Sequence, residues 1–338
     1  MSHVMKTMER LVLDQLRPIV QPFLDPLQFA YQPRLGVEDA VIYLLNRVYA
    51  HLDKPASTVR VMFFDFSSAF NTIWPAPLGD NLTVMQVDAP LVSWIVDYLT
   101  GRPQYVRLQH CVSDRVVSNT GVPQGTVPSP FLFTLYTTDF NNCTETCHLQ
   151  KFSDDSAIVG CISRGDEDKG VSVDTVEDYK YLGVYIDNKL DWAKNTDALY
   201  KKGQSRLYFL RRLRTFTFCR TMLRIFYESV VVSAILYAVA CWGSRLRVAD
   251  ANRLNKLIRK AGDVVGVELD SLTAVSERRT LSKLQAIMDN GSHPLYDTVM
   301  RQRTSFSARL ILPKCTTECH RRSFLPVAIK LYNSSLSV

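Results

Sequence analysis

Three aspartates are the residues whose setting in this chain could do chemistry. Asp65 follows the apolar run Val61-Met62-Phe63-Phe64, and the doublet Asp154-Asp155 stands between Phe152 and Ile158 with apolar residues on both sides. Carboxylates at the ends of rigid strands are oxygen donors of the kind hard divalent cations take. Mg²⁺ needs few of them, because water and phosphate complete its octahedron. Two such ions about 3.5–4 Å apart neutralise the entering, leaving and equatorial oxygens of a phosphoryl group in transfer. The bland alternatives weigh against this. An aspartate after a strand is more often an N-cap, here for Ser67–Phe70, and an Asp-Asp in a hairpin is more often only a turn. What lifts the doublet above a turn is that no basic residue adjoins it, so two like charges held that close need a cation.

The elements that must hold these acids follow from periodicity and punctuation. Val4, Met8, Leu11, Val12 and Leu16 recur at helical spacing, which is an amphipathic helix rather than the unbroken apolar core of a signal peptide. Val37, Ala40, Val41, Leu44, Leu45 and Val48 mark a second helix after Gly36, and residues 61–64 form a short buried strand that delivers Asp65. Helices are expected around Leu78–Val87 and Pro90–Leu99, then a hairpin of Tyr105–Gln109 with Arg115–Ser118. Ser129-Pro130 matches a Ser N-cap with Pro at the first helical position, before the apolar stretch Phe131–Phe140. Leu149 to Val159 reads as strand, two-carboxylate turn, strand, and Tyr181 to Ile186 as a further β pair or bent strand. From Asp197 onward the pattern is helical, with Leu207, Leu210, Leu213, Leu223, Phe226, Tyr227, Val230 and Val231 at three- and four-residue intervals. The fold class is α+β, with a mostly helical C-terminal part.

Charge is divided unevenly along the 338 residues. The net +7 conceals 16 Lys and Arg against 24 Asp and Glu in residues 1–199, 14 against 2 in residues 200–260, and 10 against 3 in residues 278–330. A local excess of that size points to a polyanion, since each phosphate neutralised releases condensed counterions. Lys201, Lys202, Arg206, Arg211, Arg212, Arg214, Arg220 and Arg224 alternate there with Tyr208, Phe209, Phe216 and Phe218, a mixture suited to a groove that tracks a strand. The aromatics also fit helical spacing and read first as core. The eight cysteines are dispersed, form no zinc-finger array and read as mostly buried apolar residues; Cys143-Cys147-His148 and Cys315-Cys319-His320 each lack a spaced second pair and read as structural. Val230–Trp242, the most apolar stretch, is too short for a bilayer and reads as a core helix. With no secretory signal, the expected location is cytosol or nucleus, without membrane contact.

Several of these segments, in order and spacing, resemble the reverse transcriptases of non-LTR (LINE-type) retrotransposons. Phe64-Asp65-Phe66-Ser67-Ser68-Ala69-Phe70 is similar to the first palm motif of that family, Gly121-Val122-Pro123-Gln124-Gly125 through Ser129-Pro130 to the second, and Phe152-Ser153-Asp154-Asp155 to the third. Gln28-Phe29-Ala30-Tyr31-Gln32-Pro33 with Glu38-Asp39-Ala40 resembles the fingers segment, and Tyr179-Lys180-Tyr181-Leu182-Gly183 the strand pair after the palm. The resemblance implies a right-hand polymerase of fingers, palm and thumb. In this chain those would be a fingers part in residues 1–60, a palm with a fingers insertion in 61–192, a helical basic thumb-like region in 193–265 and a basic helical segment in 266–338. It implies RNA-directed DNA synthesis with two Mg²⁺, or Mn²⁺ in their place, on an RNA template, a DNA primer and deoxynucleotide triphosphates. Asp65 and Asp154 would hold the metals with Asp155 in support. Phe66, Phe70, Gln124, Gly125 and Arg34 would meet the nucleotide, Phe70 under the sugar and Gly125 where a side chain would obstruct close approach. Lys201, Lys202, Arg206, Arg211, Arg212 and Arg214 would bind nucleic acid.

The chain departs from the family pattern in three places. Around Arg34 the usual basic residues are replaced by Gln32 and Leu35. Only 18 residues, Cys161 to Asp178, lie where the family has a helix and strand ending in a Lys-bearing motif, so the palm is expected to be incomplete through an internal deletion. The chain also starts inside the first fingers motif with no endonuclease domain before it, so it would extend a primer made by something else. The alternative expectation is a decayed retrotransposon remnant that binds nucleic acid without turnover. An acidic-site nuclease would use the same carboxylates but needs neither the Gln-Gly nor the Ser-Pro motif.

Overall fold

The computed structural model describes residues 3–109, 111–141, 144, 146–163 and 175–336. In chain order its elements are α1 (His3–Val20), α2 (Val37–Leu52), β1 (Thr58–Phe64), α3 (Pro75–Val84), α4 (Ala89–Leu99), β2 (Arg102–Gln104), β3 (Arg107–Leu108), β4 (Cys111–Val112), β5 (Val116–Ser118), α5 (Ser129–Tyr136), β6 (Cys147–Phe152), β7 (Asp155–Ile162), β8 (Asp178–Tyr181) and β9 (Val184–Asp187). Helices follow: α6 (Ala193–Thr215), α7 (Arg220–Phe226), a π-helical turn at Tyr227–Val232, α8 (Ser233–Ile235), α9 (Val239–Trp242), α10 (Val248–Val265), α11 (Leu272–Met288), α12 (Tyr296–Met300), α13 (Glu318–Arg321) and α14 (Phe324–Ser335). The chain divides into two compact units, one of residues 1–35 and 62–158, the other of 36–61 and 159–338. The segment expected to carry an internal deletion falls largely on residues 164–174 and so lies outside the described residues.

A three-stranded sheet of order β1-β7-β6 carries the acids, and in the first unit a hydrophobic core of Leu13, Leu16, Val20, Ile73, Leu78, Leu82, Ile95, Leu99, Phe131 and Phe133 lies among α1, α3, α4 and α5. α1 turns inward a face that shares only Leu16, and Val12 in part, with the one its apolar residues mark. Val4, Met8 and Leu11 are exposed, while Glu9, Leu13, Leu16 and Val20 are buried. The expected hairpin of residues 105–118 is nested instead: β2 pairs with β5 (Pro103 opposite Val117), and β3 with β4 (Arg107 opposite Val112). α5 begins after Pro128 and receives no side-chain cap. Ser129 donates its hydroxyl to the Pro123 carbonyl at 2.8 Å, folding the preceding loop back rather than capping the helix.

In the second unit β8 and β9 form a hairpin whose turn residues, Leu182 and Gly183, have φ of +47° and +84°. Two positive φ values are what a two-residue turn matched to strand twist requires. Tyr237 holds the turn by donating to the Leu182 carbonyl at 2.8 Å. α6 packs on α8 and α10 through Leu199, Gly203, Leu207 and Leu210, and a Cβ at Gly203 would stand 2.9 Å from Ile235 and 3.0 Å from Leu257. The apolar stretch 230–242 is broken at Leu236–Ala238, where Ala238 has φ +52°, and buries Val231, Ile235, Leu236 and Val239–Trp242 in the unit's interior. No single helix among the described residues is long and apolar enough to cross a membrane. The cysteines differ from expectation: of the seven described, Cys241 alone is buried and Cys111 and Cys219 are exposed.

Candidate active site

β1 and β7, neighbours in one sheet, carry the acids at their ends: Asp65 follows β1, Asp154 lies in the turn from β6 into β7, and Asp155 is the first residue of β7. Asp65 is exposed and the doublet half-buried. Asp65 caps no helix, since the short 3₁₀ turn beyond it spans Ala69–Asn71 and starts from Ser68 with no side-chain cap. None of the three carboxylates makes an ion pair with a described residue. Burial, and then the charges of Asp154 and Asp65, push the Asp155 carboxyl above its ordinary value. The three therefore share one electrostatic neighbourhood with no ion-pairing cation among the described residues. Among the described residues no three His, Cys, Asp or Glu side chains converge as a metal-holding group, so an ion here would draw much of its coordination from water or phosphate.

Polar residues with no chemical signature build this turn. Ser153 sits at φ +60°, a conformation that is costly for a residue with a side chain. Gln28, itself buried, holds it: its Oε1 accepts the Ser153 N–H at 2.9 Å and the Ala30 N–H at 3.1 Å, and its Nε2 reaches the Ser153 carbonyl at 3.4 Å. The Tyr31 hydroxyl lies 3.1 Å from Ser153 Oγ. Gln28 also pairs with Lys151 as a parallel bridge, so the fingers-like segment is stitched to the strand that leads into the acids. Lys151 is the nearest cation in sequence, and it is fully committed elsewhere. It is 1% exposed, with Nζ 2.7 Å from Asp25 Oδ2 and donating to the carbonyls of Thr137 and Phe140 at 2.9 and 2.8 Å. An ammonium has three N–H donors, and all three are used.

The Gln124-Gly125 loop stands on the same unit with both residues exposed. Close approach explains a different glycine from the one expected. Gly125 has φ +79° and open space around its Cα, so its backbone conformation requires glycine there. At Gly121, φ +74°, a Cβ would lie 2.8 Å from Asn71 Cα and 2.9 Å from the Phe70 carbonyl. Phe66 and Phe70 are half-buried against Phe133, with ring centroids 6.2 and 5.2 Å away, and Phe66 also meets Phe140 edge-on. Arg34 is exposed at φ +61°.

Lys201, Lys202, Arg206, Arg211, Arg212 and Arg214 are all exposed along α6 of the second unit. Arg214 donates to the Asp263 carbonyl at 2.7 Å. The aromatics among them are not core, as their spacing had implied: Tyr208 is 58%, Phe209 48%, Phe216 63% and Phe218 44% exposed. Arg212 lies over the Phe216 ring at 5.7 Å. Leu199, Leu207 and Leu210 fill the buried side of α6, which leaves the aromatics no interior to enter. The Cys315-Cys319-His320 cluster resolves into an anchor. Asp53, at the end of α2, accepts backbone N–H groups from Thr316 and Thr317 at 2.9 and 2.7 Å and the Thr317 hydroxyl at 2.7 Å, and His320 Nδ1 lies 3.2 Å away. Cys143 of the other cluster lies outside the described residues.

The sequence matches known proteins. The family model described as "Reverse transcriptase (RNA-dependent DNA polymerase)" matches residues 1–186, and a second, "Alkylated DNA repair protein alkB homolog 8, N-terminal", matches only residues 192–233. The chain belongs to the reverse transcriptase family, and the resemblance to its non-LTR, LINE-type members is borne out. Membership brings a polymerase fold of mixed helix and strand. The "Probable RNA-directed DNA polymerase from transposon BS" of Drosophila melanogaster is 23% identical over 77% of this chain and 35% of its own length. The "RNA-directed DNA polymerase from mobile element jockey" of Drosophila funebris is 21% identical over 75% of this chain and 34% of its own. The chain thus spans about a third of the length of these relatives. A telomerase structure from Candida albicans aligns over 87% of this chain and 55% of its own at 11% identity and a TM-score of 0.38, too loose a likeness to carry an argument.

Proposed function

We propose that this chain extends a DNA primer on an RNA template, with Asp65 and Asp154 as metal ligands and Asp155 in support. The observation that carries this reading is the set of three carboxylates at the ends of adjacent strands, with Asp154 and Asp65 acting on Asp155 and no ion pair from any of the three to a described residue. An all-oxygen, uncompensated donor set fits Mg²⁺, or Mn²⁺ in its place, better than a softer ion. Two such ions, when bound, would supply charge neutralisation around the transferring phosphoryl group. The chain's own part is positional. Gln28 and Tyr31 hold the Ser153 turn that precedes the two aspartates. Gln124, with the open space at Gly125, would meet template and nucleotide, Phe66 and Phe70 would form the floor that disfavours a ribose 2′-OH, and Arg34 would reach the triphosphate. In this reading residues 1–60 serve as fingers, 61–192 as palm and 193–265 as thumb. The α6 cations would contact phosphates, and the exposed aromatics between them suit stacking on unpaired bases.

Primer extension on an RNA template with deoxynucleotides tests the proposal. Asp154→Asn is expected to lower incorporation by on the order of 10³-fold while leaving the melting temperature in place. Failure of the parent chain to incorporate at any concentration sinks it. A second reading, a remnant that binds nucleic acid without turnover, rests on the sequence, which leaves only a short stretch between Ile162 and Asp178 where the family has a helix and a strand. In that case salt-sensitive RNA binding through α6 persists with no extension.

A further inference from the structure

We propose that Glu9, a residue on α1 with no part in the chemistry above, is a positioning residue that fixes the Gln124-Gly125 loop; the inference rests on the polymerase reading for its catalytic consequence. Glu9 is completely buried in the first unit. Its Oε2 accepts the Val127 N–H at 3.0 Å and its Oε1 the Tyr98 O–H at 2.8 Å. Val127 lies two residues beyond Gly125. The other foot of the loop is held by Arg102, whose Nη2 donates to the carbonyls of Thr120 and Gly121 at 2.6 and 2.8 Å and whose Nε donates to Leu99 at 3.0 Å. Between the two feet, Thr126 and Ser129 donate their hydroxyls to the Pro123 carbonyl at 2.9 and 2.8 Å, and the Val122 N–H bonds to the Phe70 carbonyl at 2.8 Å. Only Gln124 and Gly125 stay exposed.

A buried carboxylate without a paired cation is a costly way to anchor a helix, and α1 does not need one, because Leu13, Leu16 and Val20 already bury its face. What the carboxylate adds is direction. It gives one loop amide a charge-assisted acceptor at a fixed point, stronger than a neutral one. Tyr98 is kept protonated to serve as the second donor, since burial and then its hydrogen bond to Glu9 raise its pKa. Positioning of a residue that binds substrate in ground state and transition state alike shows in KM before kcat.

The test uses the full chain with Glu9→Leu and Glu9→Gln, read by hydrogen exchange and by steady-state incorporation. Glu9→Leu is expected to speed exchange of residues 125–129 by about tenfold while exchange in α3 is unchanged, and to raise the nucleotide KM about tenfold with a smaller change in kcat. Glu9→Gln recovers most of both, because its amide oxygen can still accept from Val127 and its NH₂ can donate to the Tyr98 oxygen. Should Glu9→Leu not fold, Tyr98→Phe replaces it; this removes one of the two donors at little change in volume and is expected to give the same shift at about a third of the size. Unchanged loop exchange overturns the clamp. Faster exchange with unaltered KM, or equal losses in Gln and Leu that track melting temperature, overturns the positioning role. A parent chain that incorporates nothing overturns the polymerase reading and the kinetic consequence, and exchange alone then decides the clamp.

Discussion

Two clusters built from the same residue type behave in opposite ways. In the second unit Asp39 is buried near the start of α2 and surrounded by donors. The Gly36 N–H reaches its Oδ2 at 2.9 Å, Lys283 Nζ its Oδ2 at 3.1 Å, and His293 Nε2 its Oδ1 at 3.1 Å. His293 Nδ1 accepts the Leu295 N–H, so its proton sits on Nε2 and points at Asp39. Burial alone would raise the Asp39 carboxyl, but the hydrogen bond from His293 and the charge of Lys283 outweigh it and hold the pKa below the ordinary value. In the first unit Asp65, Asp154 and Asp155 have no such donors among the described residues, and Asp155 is pushed the other way. A carboxylate supplied with its own cations is finished as structure. One left without them is open to a cation from solution.

That contrast breaks most readily at Asp39. Asp39→Ala removes one partner of a buried ion pair and leaves Lys283 and His293 uncompensated, so chemical denaturation is expected to show a loss of about 3–5 kcal/mol. A loss under about 1 kcal/mol would mean that the cluster is no more structural than the acid turn. Next in size is Gln28→Ala, which strands the buried N–H of Ser153; we expect a cost of about 1–3 kcal/mol, accompanied by a fall in Mg²⁺ affinity measured by titration calorimetry. The smallest effect sharpens the comparison by sign. Asp155→Asn relieves repulsion and should raise the metal-free melting temperature by roughly 1–2 °C, small because the group is still largely solvent-screened.

The two clusters also predict opposite pH slopes. Asp39, depressed in the folded state, contributes stability above its unfolded pKa that is lost as pH falls through the folded one. Asp155, raised in the folded state, costs stability as pH climbs from the unfolded value through the folded one, and Mg²⁺ binding should reverse that cost with release of a proton. Asp155→Asn is expected to remove the second slope and leave the first. Melting curves from pH 3 to 7 with and without Mg²⁺ check both.

The acids, the glycines of the second motif and most elements were legible because their signals are local: an apolar strand ending in Asp65, a doublet flanked by apolar residues, leucines at helical spacing. The clamps were not legible. Glu9, Gln28 and Lys151 are polar residues whose roles lie inside, and the partners Val127, Ser153 and Asp25 stand far along the chain, where no periodicity connects them. The assumption that apolar residues face inward fails on α1, where Val4, Met8 and Leu11 face out and Glu9 faces in. It fails again at Tyr208 and Phe209, because the leucines of α6 had already claimed the core.

The bonds from Gln28 to Ser153 and from Glu9 to Val127 also bear on when the molecule can assemble. Their partners are 125 and 118 residues apart. Pairings that distant carry their loop-closure entropy before any contact repays it, and they slow folding. Gln28 is made early and waits while the strand it must hold is still being synthesised, so the acid turn is expected to be among the last parts of the first unit to acquire its shape.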